Sequence, residues 1–199
     1  MWLYLIIITC VLTTSGVINA VVANVTVFEV VLYTFTGLCG VAALAVIPHF
    51  LVRTFPKKLF EPERKYFRPC KCEKRFYRLI RVQRWKKLVP DAGGKVANFG
   101  KSSLTNPNDK AYLYKFLTET CYSEVVHSVC SLNGFLILLI SLFFSVTFFI
   151  MLPIAILNFL LHLLPVFIQR YLRPKLLYIY NKKNFAQETM TVNENSGNL

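Results

Sequence analysis

Two long stretches of this 199-residue chain carry almost no charge, and that constrains the fold more than any motif. From Met1 to Val52 the one charged side chain is Glu29, and from Val125 to Gln169 there is none. About 20 apolar residues suffice to cross a hydrocarbon core of roughly 30 Å. Each block is longer than that, so each is read as a helical hairpin. The spans are expected over 2–23, 27–50, 135–152 and 154–169. The fold class that follows is an all-α integral membrane protein. It has two transmembrane helical hairpins, about four spans, and a basic, partly helical cytosolic loop. Its segments are 1–52, 53–124, 125–170 and 171–199.

The turns are read from breakers and caps. Thr26 and Glu29 have the spacing of a capping box that opens the second helix; Glu29 as a functional intramembrane acid is the alternative. Asn133-Gly134 is expected to break a cytosolic-side helix from the third span, and Pro153 to form the outer turn. No Lys or Arg precedes the first apolar run and a second run follows it, which favours a retained anchor over a secretory signal.

The charge is sorted as sharply as the apolar residues. There are 23 Lys and Arg against ten acidic residues, a net charge of +13. Between Arg53 and Lys87 stand 14 basic residues against Glu61, Glu63 and Glu73. The positive-inside rule assigns this segment, and the basic tail after Gln169, to the cytoplasm of a multi-pass cell-membrane protein with both termini inside. The polar end from Gln187 to Leu199 is expected to be disordered. The six cysteines form no secreted-type framework.

In the polybasic segment, Arg64 to Arg84 recur at spacings of one, three or four, with Phe67, Phe76, Tyr77, Leu79, Ile80, Val82 and Trp85 between them. This pattern predicts an amphipathic interfacial helix on an anionic leaflet. A phosphate-recognition surface for coenzyme A or a lipid head group is the sharper alternative. Leaflet lipids would compete with nucleic acid for the same surface, so nucleic acid is not an expected partner. Cys70-Lys71-Cys72 supplies two thiolates and no further ligands, too few for zinc.

Polar residues gather where the second apolar block begins. Glu124 and His127 are three apart and share a helical face. A carboxylate beside a histidine fixes its tautomer and raises its basicity, as a general base requires. The plainer reading is a cap that closes a charged segment. Glu124-x-x-His127 also resembles one arm of a di-iron site, but the apolar blocks lack the second arm. Farther on, Asn158 and His162 stack on one face of the fourth span, to bond a neighbouring helix or to act on a substrate. Arg170 and Arg173 lie at its end, as phosphate forks or as a positive stop.

Three stretches, in order, resemble the small integral-membrane family of glycosyl-4,4'-diaponeurosporenoate acyltransferases. They are Phe76 to Pro90, with its Trp85-Lys86 pair; Glu119-Thr120 followed by Glu124 and His127; and Gln169-Arg170-Tyr171-Leu172-Arg173-Pro174-Lys175-Leu176. The chain departs from the family pattern at Tyr122, where a basic residue is expected. The resemblance implies transfer of a fatty acyl group to a glucose hydroxyl of a glycosylated carotenoid. The catalytic residues it implies are His127, Glu124 and Glu119. Substrate-binding residues would be Trp85, Lys86, Gln169, Arg170 and Arg173, and the intramembrane Asn158 is added to them. No metal or bound cofactor is expected; acyl-CoA or a similar acyl thioester is the donor. The expected partners are an anionic leaflet and a lipid-linked or glycosylated acceptor, and a homo-oligomer stays open. Position 132 is Leu, so no His-x4-Asp box follows His127, and Gly-x-Ser-x-Gly is absent. Direct transfer, with Arg170 or Gln169 on the oxyanion, is therefore the expected route. The rival is a non-catalytic adaptor that binds anionic lipid or a partner protein.

Overall fold

The computed structural model describes residues 2–22, 25–89, 106, 108–143 and 148–196. Pro90, which closes the first family-like stretch, lies outside them. Among the described residues the chain is helical and has no strand. These residues form six α-helices in order: α1 (Trp2–Val22), α2 (Val27–Thr54), α3 (Lys71–Leu79), α4 (Val82–Trp85), α5 (Lys110–Ser141) and α6 (Phe148–Ser196). Two 3-10 turns, Lys57–Phe60 and Lys65–Phe67, precede α3. By length and composition α2, α5 and the Phe148–Lys182 part of α6 can each cross a membrane. The apolar run of α1, Leu5–Val21, is shorter. Helix α6 continues to Ser196, into the tail for which composition predicts disorder.

The chain divides into two compact units, residues 1–55 with 124–166 and residues 56–123 with 167–199. The first unit holds α1, α2, the second half of α5 and the first part of α6. The capping box at Thr26 is present: its backbone N–H donates to Glu29 Oε2 (2.9 Å) and its Oγ1 accepts from the Glu29 N–H (3.3 Å). Glycines allow the helices to approach closely. A Cβ on Gly37 would lie 2.7 Å from Met151 Sδ, and one on Gly40 would lie 3.0 Å from Ile137 Cδ1. Large apolar side chains such as Phe28, Val31, Phe35, Phe50, Leu139 and Phe149 are exposed. That is the surface expected of helices solvated by lipid.

Two sequence expectations are corrected in this unit. Asn133-Gly134 does not break the chain: α5 runs straight through it. Gly134 instead marks a helix crossing, since a Cβ there would lie 2.8 Å from Ala155 Cα of α6. A glycine that reads as a breaker in water is a contact point between membrane helices. Nor is Pro153 the outer turn. Helix α5 ends at Ser141 and α6 begins at Phe148, so Pro153 sits inside α6. A proline at 153 leaves the Phe149 carbonyl without its usual helical donor. Asn19 Nδ2, buried on α1, points at that carbonyl from 3.5 Å, so a neighbouring helix supplies the missing partner. The helices of the second apolar block, α5 and α6, therefore start and end elsewhere than the 135–152 and 154–169 expectation.

The second unit is built from the 3-10 turns, α3, α4, the first part of α5 and the last part of α6. Its buried residues include Phe60, Phe67, Tyr77, Val82, Leu113, Leu117 and Tyr122. Tyr122 stacks on Phe60 with ring centroids 4.0 Å apart. A basic side chain at 122 would lose that packing, which gives the departure from the family pattern a physical reason. The polybasic stretch is not one continuous helix. Cys70 Sγ caps α3 by accepting from the Glu73 N–H (3.3 Å). Arg81 then turns the chain in the left-handed region (φ 50°, ψ 47°), and α4 follows. Trp85 Nε1 donates to the Ile80 carbonyl (2.9 Å) and ties that turn shut. The strain of a non-glycine left-handed residue is offset by this bond and by Val82, which is fully buried.

Candidate functional site

In the second unit, the middle stretch of α6 from Gln169 to Arg173 fastens several elements, one residue at a time. Gln169 Nε2 donates to Ser123 Oγ of α5 (2.6 Å). Arg170 forms a fork on Glu73 of α3, with Nε to Oε2 at 2.8 Å and Nη2 to Oε1 at 2.9 Å, and its Nη1 reaches the Tyr66 carbonyl (3.1 Å). Tyr171 OH bonds Gln83 Oε1 (3.2 Å). Arg173 has no exposed surface. Its Nε donates to Thr120 Oγ1 (3.1 Å), its Nη2 to the Thr120 carbonyl (3.0 Å) and its Nη1 to the Phe67 carbonyl (3.0 Å). Its Cζ also lies 5.1 Å from the centroid of the Phe67 ring. Arginine suits this position because its planar fork serves acceptors in several directions at once.

Glu73 is the partner that sequence reading missed. It is the only acid between Arg64 and Lys87, and that isolation was the available signal. The hydrogen bond from Arg170 holds its carboxyl below the ordinary value of 4.5, despite partial burial. Tyr77 OH also donates to Glu73 Oε2 (3.2 Å). Burial first, and the negative charge of Glu73 second, push the Tyr77 phenol up to about 12. A carboxylate whose folded value is depressed contributes stability above its unfolded value, and that stability is lost as pH falls through the folded value. The wild-type protein should therefore lose thermal stability as pH falls below about 4.5. Glu73→Gln should start lower and lose less over the same range. Melting curves between pH 6 and pH 3 check this.

The other positions in this unit are placed as follows. Glu119 is half-buried on α5, one residue before Thr120. Trp85 and Lys86 are half-buried at the end of α4, with the Lys86 N–H bonded to the Val82 carbonyl (2.9 Å). Gln169 is buried, and its Oε1 has no hydrogen-bond partner among the described residues.

The first unit carries the remaining residues. Glu124 is almost wholly buried on α5, at 1% exposure, and its backbone carbonyl accepts from Ser128 Oγ (2.8 Å). His127 lies one turn on. Its Nδ1 stands 3.0 Å from Nδ1 of His162 on α6, with the ring planes 41° apart. Asn158 Nδ2 donates to the carbonyls of Cys130 (2.8 Å) and Ser131 (3.3 Å). Asn158 thus bonds a neighbouring helix, one of its two readings. His162 was visible in sequence as the residue four after Asn158 on the same face. Its pairing with His127 was not, because the two lie 35 positions apart. No cluster of three or more metal-ligating side chains occurs among the described residues.

The first unit can therefore move a proton at a histidine pair, and the second presents a rigid, cationic segment. A family model described as glycosyl-4,4'-diaponeurosporenoate acyltransferase matches residues 57–182. Searches of curated proteins and of solved structures give no match. The matched region takes in all three family-like stretches and more than half of the chain. This helical membrane protein belongs to the glycosyl-4,4'-diaponeurosporenoate acyltransferase family and is an acyltransferase of carotenoid biosynthesis.

Proposed function

We propose that the protein esterifies a hydroxyl of a glycosylated carotenoid with a fatty acyl group taken from acyl-CoA or a similar thioester, and that His127 is the general base. The observation that carries this reading is the contact of His127 Nδ1 with a second imidazole at 3.0 Å. His127 takes the hydroxyl proton as the oxygen attacks the thioester carbonyl. The carbon–sulfur bond breaks, and the thiolate leaves with that proton. Glu124, buried one turn before His127, and Glu119 support the polar end of this segment. Trp85 and Lys86 are the contacts for donor phosphates. Gln169, Arg170 and Arg173 hold the cationic segment in shape by the bonds described above.

The outward side chains of α3 support a membrane-surface role for that segment. Lys71, Lys74, Arg75 and Arg78 are exposed, and so are Phe76 and Leu79. Each basic residue near an anionic leaflet contributes about 1 kcal/mol. The proposal places this surface, and both termini, on the cytoplasmic side of the cell membrane.

The test is lipid mass spectrometry of cells that make the glycosylated carotenoid, with and without this protein. The reading expects conversion of the glycoside to its acyl ester. An unchanged lipid profile, with membrane association that depends only on the basic residues from Arg64 to Arg84, would establish the adaptor reading instead.

A further inference from the structure

Resting on the reading of a glycosylated acceptor, we propose that an open groove at the start of α5 binds the neutral sugar head of that acceptor. The groove holds about 580 Å³ and lies within the second unit, between the first turn of α5 and the Tyr180 turn of α6. Small-molecule sites run to about 300–1,000 Å³. Asn108, Asp109, Lys110, Ala111, Tyr114 and Tyr180 line it. The Tyr114 and Tyr180 rings stand with centroids 5.7 Å apart and planes tilted by 41°, and Tyr114 is exposed. Together they offer an apolar wall with polar tips. Asp109 caps α5: its Oδ1 accepts from the N–H groups of Ala111 (2.8 Å) and Tyr112 (3.2 Å). These bonds hold the carboxylate in place, and the side chain is exposed, so Oδ2 can meet a ligand. Lys110 adds a donor beside it.

Charge selects the class of ligand. The chain carries +13 overall, yet this groove is not cationic. Its lining has one acid, Asp109, and one base, Lys110. The carboxylates of Glu61 and Glu63 also act on the Tyr114 phenol. Arg64, 3.9 Å from Glu61, offsets one of them in part. A phosphate or carboxylate ligand would meet net negative charge here, and exposed Lys71, Lys74, Arg75 and Arg78 of α3 would attract it instead. A neutral sugar ring carries no such penalty. Its hydroxyls can donate to Asp109 and accept from Lys110, while its C–H face lies on the tyrosines. A wholly apolar ligand would cover the carboxylate and the ammonium without pairing them. The groove belongs to the second unit and the histidine pair to the first, so the groove is assigned binding and no step of the chemistry.

The test is a titration of the full chain, labelled with 13C-tyrosine, in lipid nanodiscs. Methyl glucoside should shift the ring signals of Tyr114 and Tyr180, assigned through Tyr114→Phe and Tyr180→Phe, and leave those of Tyr33 and Tyr77 in place. Methyl glucuronide, the same ring with a carboxylate, should bind at least about 5-fold more weakly. Asp109→Asn keeps the helix cap, which asparagine also makes, and should weaken methyl glucoside about 5-fold. Tyr180→Ala should weaken it by a similar factor through loss of the wall. No shift at Tyr114 and Tyr180, tighter binding of the glucuronide, or binding of adenosine in place of the glucoside would overturn the sugar site. Binding of the glucoside as expected, with no acyl ester formed on a glycosylated carotenoid, would instead overturn the acceptor reading on which the role of the groove rests.

Discussion

His127→Ala should lower the rate of ester formation by about 100-fold to 10,000-fold, the usual contribution of a positioned general base. The variant should still reach the membrane at the wild-type level. His127 is only half-buried, and the helix crossing beside it is held by Asn158 and Gly134. Loss of the ring therefore removes little packing. The loss should fall on kcat, because proton removal belongs to the transition state and not to substrate binding. Steady-state kinetics of the purified variant, beside its membrane yield, check both parts. A rate within a few-fold of wild type would remove His127 from the mechanism.

Arg173→Met should produce the largest loss of stability among the residues of the family-like stretches. The guanidinium is completely buried and donates to three acceptors on two elements, Thr120 of α5 and the Phe67 carbonyl. Removing it strands those acceptors away from water, at about 1–3 kcal/mol for each group left unsatisfied. At about 2–4 °C per kcal/mol for a chain of this length, three such losses correspond to a fall in melting temperature of at least about 6 °C. Arg173→Lys should rescue little, since one ammonium cannot reach Thr120 and Phe67 in the fork geometry. Melting in detergent, with Arg170→Met as the more exposed comparison, checks the ranking. An Arg173→Lys variant as stable as wild type would show that charge alone, and not the fork, is what the site needs.

Much of the fold was legible because charge sorting in a membrane protein is a direct physical constraint. The gap from Val125 to Gln169 and the basic run after Arg53 announced helices in lipid joined by a polar segment. The capping box at Thr26 was legible because it is local, with both partners within three residues. The helix ends at Asn133-Gly134 and Pro153 were misread because breaker rules assume a helix in water. In the membrane Gly134 is a contact point, and the Phe149 carbonyl that Pro153 leaves open is met by Asn19, 130 positions before Phe149. The site was partly legible for the same reason. His127 stood out as a polar side chain in an uncharged run, but its partner is fixed by helix packing. The most family-like stretch, Gln169 to Pro174, reads as a binding motif in sequence. In the structure its side chains fasten α6 to Ser123, Glu73, Gln83, Thr120 and Phe67.

The account turns on acyl transfer from a thioester to a sugar hydroxyl. Its most direct test is the purified protein in lipid vesicles that contain a glycosylated carotenoid, supplied with acyl-CoA. The predicted result is an acyl ester of the glycoside by mass spectrometry, with one free thiol released for each ester formed and no ester when the sugar is absent. Thiol release without ester, or no release while the protein remains folded in the vesicle, would contradict it.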